Sequence, residues 1–281
     1  MNRNFSTRPI KKLGQHFLVD GDIIRRIIKK ASLSPQHSVL EIGPGRGALT
    51  IPLAKSVKQL YAVEKDQRLA DLLSEKLSDA GINNVTIFNE DILKWDFHKM
   101  GPDPHSKVLV IGNLPYNISS PVLDKLVKNR LIISKAVLMF QQEVAQRLTA
   151  VPSEKAYGAL TLLIQYHAFC RPLINVNKKA FYPVPKVDST VLEIDFERPY
   201  PKRASSEDEF RTIVKGAFAH RRKKLSNSLL KSLSLDDGQR KINEALEKCG
   251  IDPSRRAETL SMDEFICLTE SIVLTGQASF N

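Results

Sequence analysis

The most informative segment of the chain is Val108-Leu109-Val110-Ile111-Gly112-Asn113-Leu114-Pro115-Tyr116. Its four consecutive apolar residues predict a strand that is buried on both faces, as in the parallel sheets of α/β proteins. The strand must end before Pro115, because proline has no N–H to donate to a sheet. Asn113 and Tyr116 therefore follow the carboxyl end of a buried strand, which is where open α/β sheets bind their ligands.

The Asn-Leu-Pro-Tyr segment suits recognition of an amino group on an aromatic ring. The carboxamide oxygen of Asn113 and the backbone carbonyl of Leu114 are two acceptors for an –NH2 group, and Tyr116 offers a flat face to a base. N6 of adenine fits this arrangement, because its lone pair stays delocalised into the ring until both hydrogens are held out of the ring plane. The alternative is a plain strand-to-helix turn with an Asn cap and a buried tyrosine.

Three other predicted strands end in residues that suit a nucleoside-like ligand. Gly43 begins a glycine turn after residues 38–42, Glu64 follows residues 59–63, and Asp91 comes shortly after residues 85–88. An acid about 20 residues beyond such a turn can hold the hydroxyl groups of a ribose. Asp91 could accept a hydrogen bond from an adenine amino group or cap the residues after it. Each feature alone has a structural explanation, but the coincidence of four strand ends favours one ligand site.

The composition points to a polyanionic partner. The 281 residues carry a net charge of +11, which favours nucleic acid over a membrane, and no apolar run has the length that spans a bilayer. Cys170, Cys249 and Cys267 are odd in number and far apart. They predict neither a disulfide framework nor a metal site, and hence a reducing cytoplasm. We expect a monomer, because no apolar helix face is left over.

The first 19 residues form a basic segment. They contain Arg3, Arg8, Lys11 and Lys12, and no acid precedes Asp20. We interpret residues 1–19 as an arm over a nucleic-acid groove. A solvated tail is the structural alternative, and the segment is short for a transit peptide.

The alternating strand pattern stops near residue 200, which divides the chain into two predicted domains. Residues 1–200 are expected to form a doubly wound, mostly parallel α/β sheet, and residues 203–281 a small helical domain. A basic run in the second domain consists of His220, Arg221, Arg222, Lys223 and Lys224. Phosphate binding is the favoured interpretation of this run, and a solvated helix face is the alternative.

A stiff connection lies between two predicted strands within residues 173–196. Its sequence is Phe181-Tyr182-Pro183-Val184-Pro185. We expect it to present Phe181 to the ligand site as a second stacking face. The alternative is that Phe181 is an ordinary core residue.

The chain resembles the small-subunit ribosomal RNA adenine dimethyltransferases nearly from end to end. The segments that carry the resemblance are Gly14-Gln15-His16-Phe17-Leu18, Glu41-Ile42-Gly43-Pro44-Gly45-Arg46-Gly47, Asn113-Leu114-Pro115-Tyr116, Phe181-Tyr182-Pro183-Val184-Pro185-Lys186-Val187-Asp188-Ser189 and Arg221-Arg222-Lys223-Lys224-Leu225. The resemblance implies a Rossmann-like methyltransferase fold with S-adenosylmethionine as methyl donor and no metal. It further implies methyl transfer to N6 of two adjacent adenines near the 3′ end of 16S ribosomal RNA, within a pre-30S particle.

The resemblance also assigns roles to individual residues. Those that would contact S-adenosylmethionine are His16, Leu18, Gly43, Glu64, Asp91 and Asn113. Those that would hold or stack the target adenine are Asn113, Leu114, Tyr116 and Phe181. The family usually has asparagine where His16 stands. A cofactor contact made by the backbone at this position does not depend on that difference, whereas a side-chain contact does.

Three other functions are compatible with parts of the sequence. A methyltransferase of the macrolide-resistance type would modify large-subunit RNA with similar chemistry, but Leu114 and the Arg-Arg-Lys-Lys-Leu run favour the small-subunit group. A non-catalytic assembly or transcription factor could retain the same fold, although the intact Glu64 and Asn113 argue against it. A nicotinamide dehydrogenase is poorly supported, because the spacing G-x-G-x-G differs from the dinucleotide fingerprint.

Overall fold

The structure, a computed structural model, describes residues 8–101, 107–220, 222–233 and 237–275. The chain forms two compact units. The first contains the described residues up to Ala145 together with Phe169–Arg198, and the second contains Gln146–Ala168 and the described residues from Pro199 onward.

The second unit therefore includes Gln146–Ala168, which the sequence placed in the first domain. The expected boundary near residue 200 lies close to the point between Arg198 and Pro199, where the chain passes from the first unit to the second. The added segment joins the helical unit because its apolar side chains pack there. The ring of Tyr166, for example, stacks on Phe210 with the centroids 4.3 Å apart.

The first unit is built on a sheet. Its strands are β1 (Phe17–Leu18), β2 (Ser38–Ile42), β3 (Gln59–Val63), β4 (Val85–Phe88), β5 (Val108–Asn113), β6 (Ile133–Gln141), β7 (Phe169–Val176), β8 (Phe181–Tyr182) and β9 (Ser189–Asp195). In the described part of the chain, seven strands form one sheet in the order β4-β3-β2-β5-β6-β9-β7, and β1 pairs with β8. The pairs from β4 to β6 are parallel, and β9 runs antiparallel to both its neighbours. The predicted α/β class with a mostly parallel sheet is confirmed.

Three helices connect parallel strands of the sheet: α2 (Thr50–Ala54), α3 (Gln67–Asp79) and α4 (Ser119–Lys128). Helix α1 (Gly21–Ala31) precedes β2, and α5 (Gln142–Thr149) follows β6 and passes along the chain from the first unit into the second. Asp20 caps α1 by accepting hydrogen bonds from Asp22 N and Ile23 N. Asp66 caps α3 in the same way through Arg68 N. The side chains of these two acids thus satisfy backbone donors that a helix start leaves unpaired.

Strand β5 lies in the middle of the sheet, between β2 and β6. Residues 108–111 are all buried, as the four apolar residues predicted. Gly112 is required by the close approach of β2, because a Cβ at this position would lie 2.7 Å from the carbonyl oxygen of Ile42. Asn113 is thereby fixed at the carboxyl edge of the sheet.

The second unit is helical. Its helices are α6 (Ala159–Gln165), α7 (Glu207–Phe218), α8 (Leu225–Ser232), α9 (Gly238–Lys248) and α10 (Met262–Thr275). Ser261 and Glu264 form a reciprocal capping box at the start of α10, an arrangement recognisable from their spacing of three residues.

Cys249 and Cys267 form a disulfide, with 5.9 Å between their Cα atoms. The prediction that the cysteines would not pair was wrong. Cys249 follows the last residue of α9 and Cys267 lies within α10, and the packing of these helices brings the two cysteines together. A separation of 18 residues along the chain does not reveal that proximity. No helix within the described residues is long and apolar enough to cross a membrane.

Candidate active site

A cavity lies at the carboxyl ends of the parallel strands. Its walls come from the ends of β2, β3 and β5, from the segment after β4 and from residues 12–19. The structure brings eight of the predicted site residues into this wall: His16, Leu18, Gly43, Glu64, Asp91, Asn113, Leu114 and Tyr116. They meet because the carboxyl ends of parallel strands share one edge of a sheet.

The glycine turn after β2 forms one side of the cavity. Gly43 and Gly45 have φ angles of +68° and +57°, a left-handed conformation that favours glycine. A Cβ at Gly45 would lie 3.2 Å from the ring of Phe17. The glycine at this position therefore lets the turn pass close beneath the N-terminal segment.

Glu64 holds the glycine turn against the end of β3. One carboxylate oxygen accepts a hydrogen bond from Gly45 N (3.0 Å) and the other from Asp66 N (2.8 Å). The residue is only 7% exposed. Burial raises the pKa of Glu64, and these backbone hydrogen bonds oppose the rise. Glu64 is thus an acid in the cavity wall whose orientation is fixed by two backbone donors.

Glu41 is a feature of the site that the sequence interpretation missed. It lies within β2, lines the cavity and is fully buried. Burial is the main cause that raises its pKa to about 8, and the charge of Glu64 adds to the rise. Among the described residues, no hydrogen-bond partner reaches its Oε2 atom. A signal existed in the sequence, since Glu41 is the one acid in the run Val39-Leu40-Glu41-Ile42.

Asp91 lines the cavity in the segment after β4. Its Oδ1 atom accepts a hydrogen bond from Leu93 N (3.0 Å), and its Oδ2 atom pairs with Lys65 Nζ (2.7 Å). Burial raises the pKa of Asp91, but the hydrogen bonds and the lysine charge outweigh it, so the pKa is lowered overall. Asp91 therefore caps the turn that follows it, which was one of the two roles expected from the sequence. Its remaining lone pairs are still able to accept from a ligand.

Asn113 is oriented by the N-terminal segment. Its Nδ2 atom donates to the backbone carbonyl of His16 (2.8 Å). Within the described residues the Oδ1 atom accepts no hydrogen bond, so the amide donor is engaged and the acceptor is left to the cavity. The backbone of His16 contacts Asn113, and its side chain has a separate role.

The ring of His16 lies between two other parts of the site. Its Nδ1 atom donates to the carbonyl of Pro183 (2.7 Å), and its ring stacks against Tyr116 with 5.7 Å between centroids. The hydroxyl of Tyr116 shares a hydrogen bond with Ser189 Oγ (2.7 Å). Burial raises the pKa of Tyr116, so its phenol stays protonated. Tyr116 is a fixed ring face, not a base.

Phe181 is not brought to the cavity. It is 2% exposed and belongs to the apolar core cluster of the first unit, and it is absent from the described residues that line the site. Strand β8 turns Phe181 into the core through its pairing with Leu18. Its neighbour Tyr182 is 56% exposed instead. The stacking role of Phe181 remains a prediction that this arrangement does not support.

The N-terminal arm covers the cavity from residue 12 onward. Gln15 ties it down, since Nε2 donates to Asp66 Oδ2 (2.9 Å) and Oε1 accepts from Ile10 N (2.8 Å). The sequence interpretation did not foresee this tether. Of the arm's cations, Arg8, Lys11 and Lys12 are exposed, whereas Arg3 lies outside the described residues.

The basic run lies in the second unit, and its first arginine, Arg221, falls outside the described residues. Arg222, Lys223 and Lys224 are all exposed. A hydrogen bond with Lys231 and the charge of that lysine lower the pKa of Lys223. Such a concentration of positive charge is able to attract phosphate. In the part of the chain that the structure describes, no cluster of three metal-ligating side chains occurs.

Comparisons with known proteins agree on one family. The sequence matches the ribosomal RNA adenine dimethylase family over residues 7–273. A ribosomal RNA small subunit methyltransferase A from Desulforapulum autotrophicum is 45% identical, covering 93% of this chain and 91% of that protein. The corresponding Bacillus cereus protein is 40% identical, with 94% of this chain and 91% of the relative covered.

Two solved structures are similar over most of the chain. A dimethyladenosine transferase from Plasmodium falciparum has a TM-score of 0.76 and 27% identity, and the match covers 90% of this chain and 96% of that one. The 23S rRNA methyltransferase ErmE has a TM-score of 0.69 and 28% identity, with 92% and 99% covered. Both likenesses extend beyond the sheet that carries the cavity.

Proposed function

The chain belongs to the ribosomal RNA adenine dimethylase family, and from that premise we propose its substrate and mechanism. It transfers methyl groups from S-adenosylmethionine to N6 of two adjacent adenines near the 3′ end of small-subunit ribosomal RNA. The observation that carries this proposal is the single cavity in which the glycine turn, Glu64, Asp91 and Asn113 meet. The products are N6,N6-dimethyladenosines, made during assembly of the small subunit.

The cavity wall fits the proposed cofactor. Glu64 would accept hydrogen bonds from the ribose hydroxyls, and Asp91 would accept one from the adenine amino group. Gly43 leaves its wall open, since even an added Cβ would remain 3.8 Å from the nearest atom, the carbonyl oxygen of Asn113. The unpartnered Oε2 atom of Glu41 suits the ammonium of the methionine part, and a cation there would lower the raised pKa. When bound, S-adenosylmethionine supplies a methyl group already attached to a good leaving group.

The Asn-Leu-Pro-Tyr segment would hold the acceptor amine. In the first transfer, Asn113 Oδ1 and the backbone carbonyl of Leu114 would accept hydrogen bonds from the two N6 hydrogens, which localises the nitrogen lone pair for attack. Each transfer forms one N–CH3 bond and releases one N6 proton, so one N–H is left to be held in the second transfer. The Asn113 amide is anchored to the His16 carbonyl, so its Oδ1 atom needs little reorganisation during the reaction. Positioning and electrostatic preorganisation are the contributions that the protein must make.

The target base must leave its stack to reach the cavity, because N6 of a paired adenine is not accessible. Tyr116 would receive the flipped ring on the face that the imidazole of His16 does not cover. Its hydrogen bond to Ser189 and its contact with His16 fix that face in place. A second stacking face at Phe181 would need the ring to leave the core.

Small-subunit RNA is favoured over large-subunit RNA by the relatives. The two proteins named as small-subunit methyltransferases are 40% and 45% identical to this chain, whereas the 23S rRNA enzyme is 28% identical. We accordingly propose a pre-30S particle as the substrate, action as a monomer, and the cytoplasm as the compartment where that particle assembles.

The test supplies tritiated S-adenosylmethionine with 30S and 50S subunits that lack the dimethylated adenines. The proposal predicts label on 30S subunits alone and N6,N6-dimethyladenosine in two adjacent positions after nuclease digestion and mass spectrometry. Label on 50S subunits would indicate a large-subunit enzyme. Stable binding to 30S subunits without any transfer would indicate a non-catalytic assembly factor.

A further inference from the structure

We propose that Tyr182 is a stacking platform for the nucleotide next to the target adenine. This inference rests on the proposed function and adds a contact outside the cavity. Tyr182 is 56% exposed, although it directly follows a core phenylalanine. The backbone of Tyr182 pairs with Phe17 in the two-stranded sheet, so the backbone that carries the exposed ring is held in place.

A cation lies beside this ring. The guanidinium carbon of Arg46 is 4.3 Å from the centroid of the Phe17 ring and 5.9 Å from that of Tyr182. Arg46 and Phe17 both line the cavity. The Tyr182 ring therefore adjoins the cofactor wall, with an arginine that is able to stack on a base or pair with a phosphate.

The segment that carries this ring also lies close to Tyr116, the residue proposed to receive the target base. His16 donates to the carbonyl of Pro183, the residue after Tyr182, and the same imidazole stacks on Tyr116. One imidazole ring therefore separates Tyr116 from the backbone that carries Tyr182. The nucleotide after or before a flipped adenine is covalently tied to it and must lie nearby.

The surroundings of Tyr182 suit RNA. Lys178, Lys179 and Lys186 are exposed on the same connection, and none of them forms an ion pair with an acid of the described chain. Val184 and Val187 are exposed as well. A sequence-tolerant site for single-stranded RNA combines such cations with an aromatic face. An apolar protein partner would not explain the unpaired lysines.

Binding to 30S subunits that lack the dimethylated adenines tests the platform without relying on catalysis. Tyr182→Ala should raise the Kd for these subunits roughly tenfold, within the range for losing one base–aromatic stack. Tyr182→Phe keeps the ring and should restore binding. Phe169→Ala is the matched control, because Phe169 is also exposed and lies under Arg198 (4.2 Å), but not in the cavity wall. The Kd for S-adenosylmethionine should stay within about twofold in all three variants.

An unchanged Kd for Tyr182→Ala would overturn the platform. A photoreactive p-azidophenylalanine in place of Tyr182 identifies the occupant, and we expect a crosslink to ribosomal RNA beside the target adenine. A crosslink to a ribosomal protein would also overturn the inference. The proposed function fails differently: wild-type protein would then bind 30S subunits and transfer no methyl groups.

Discussion

Removal of the Glu64 carboxylate should have two separate effects. It should lower the affinity for the cofactor, and it should lower the free energy of unfolding, because the carboxylate holds the glycine turn of the cavity wall. The side chain accepts hydrogen bonds from Gly45 N and Asp66 N, and in the proposed complex it would also accept from the ribose hydroxyls. Hydrogen bonds to a charged group contribute about 1.5–3 kcal/mol. Burial of the charge, which raises its pKa, offsets part of that stabilisation in the free protein.

From these opposing effects we expect Glu64→Ala to lower the free energy of unfolding by roughly 1–3 kcal/mol. The affinity for S-adenosylmethionine should fall by about 1.5–3 kcal/mol, or roughly 10- to 150-fold in Kd. Glu64→Gln should be intermediate in stability, because one amide oxygen can accept from Gly45 or from Asp66 but not from both.

Calorimetric titration with S-adenosylmethionine and urea unfolding without it measure the two effects. Glu90→Ala is the matched control, since Glu90 also lines the cavity but pairs with Lys99 at 2.6 Å. It should change the Kd by less than about twofold, because it makes no proposed cofactor contact. An unchanged Kd in folded Glu64→Ala would refute the reasoning, and Glu64 would then serve only to hold the glycine turn.

Two further predictions concern RNA binding and pH. Alanine at Arg221, Arg222, Lys223 and Lys224 should weaken RNA binding and lower the salt slope of log K by up to about four; an unaltered slope would make the run a solvated face. For Glu41, burial raises the pKa from 4.5 to about 8. The folded state then retains a proton that the unfolded state releases, and unfolding free energy falls by up to about 1.4 kcal/mol per pH unit between these values. Glu41→Gln should make this fall smaller in urea titrations without cofactor, and the raised pKa of Glu64 should account for part of the fall that remains. Parallel pH profiles for the two proteins would contradict the prediction.

The position of the site could be predicted because strand ends are readable from the sequence. Buried apolar runs mark the strands, and the residue after each run must lie at the carboxyl edge of a parallel sheet. Gly43, Glu64, Asp91 and Asn113 meet for that reason. Glu41 was missed because it lies inside a strand, where the fold decides whether a side chain faces core or cavity.

Contacts between segments distant in sequence could not be predicted. Which of Phe181 and Tyr182 is buried depends on the pairing of β8 with β1, and one residue of register reverses the two. The tether from Gln15 to Asp66 and the disulfide between Cys249 and Cys267 likewise join segments by tertiary packing. No local propensity encodes either contact.

The central claim is that Asn113 holds the adenine amine for methyl transfer, and single-turnover kinetics test it most directly. With saturating cofactor and 30S subunits, Asn113→Ala should transfer methyl groups about a hundredfold more slowly or slower still, as when one preorganised hydrogen-bonding group is removed. The affinity for 30S subunits should barely change, because phosphate contacts dominate it. A near wild-type rate of transfer by folded Asn113→Ala would contradict the account and leave Asn113 as a turn residue.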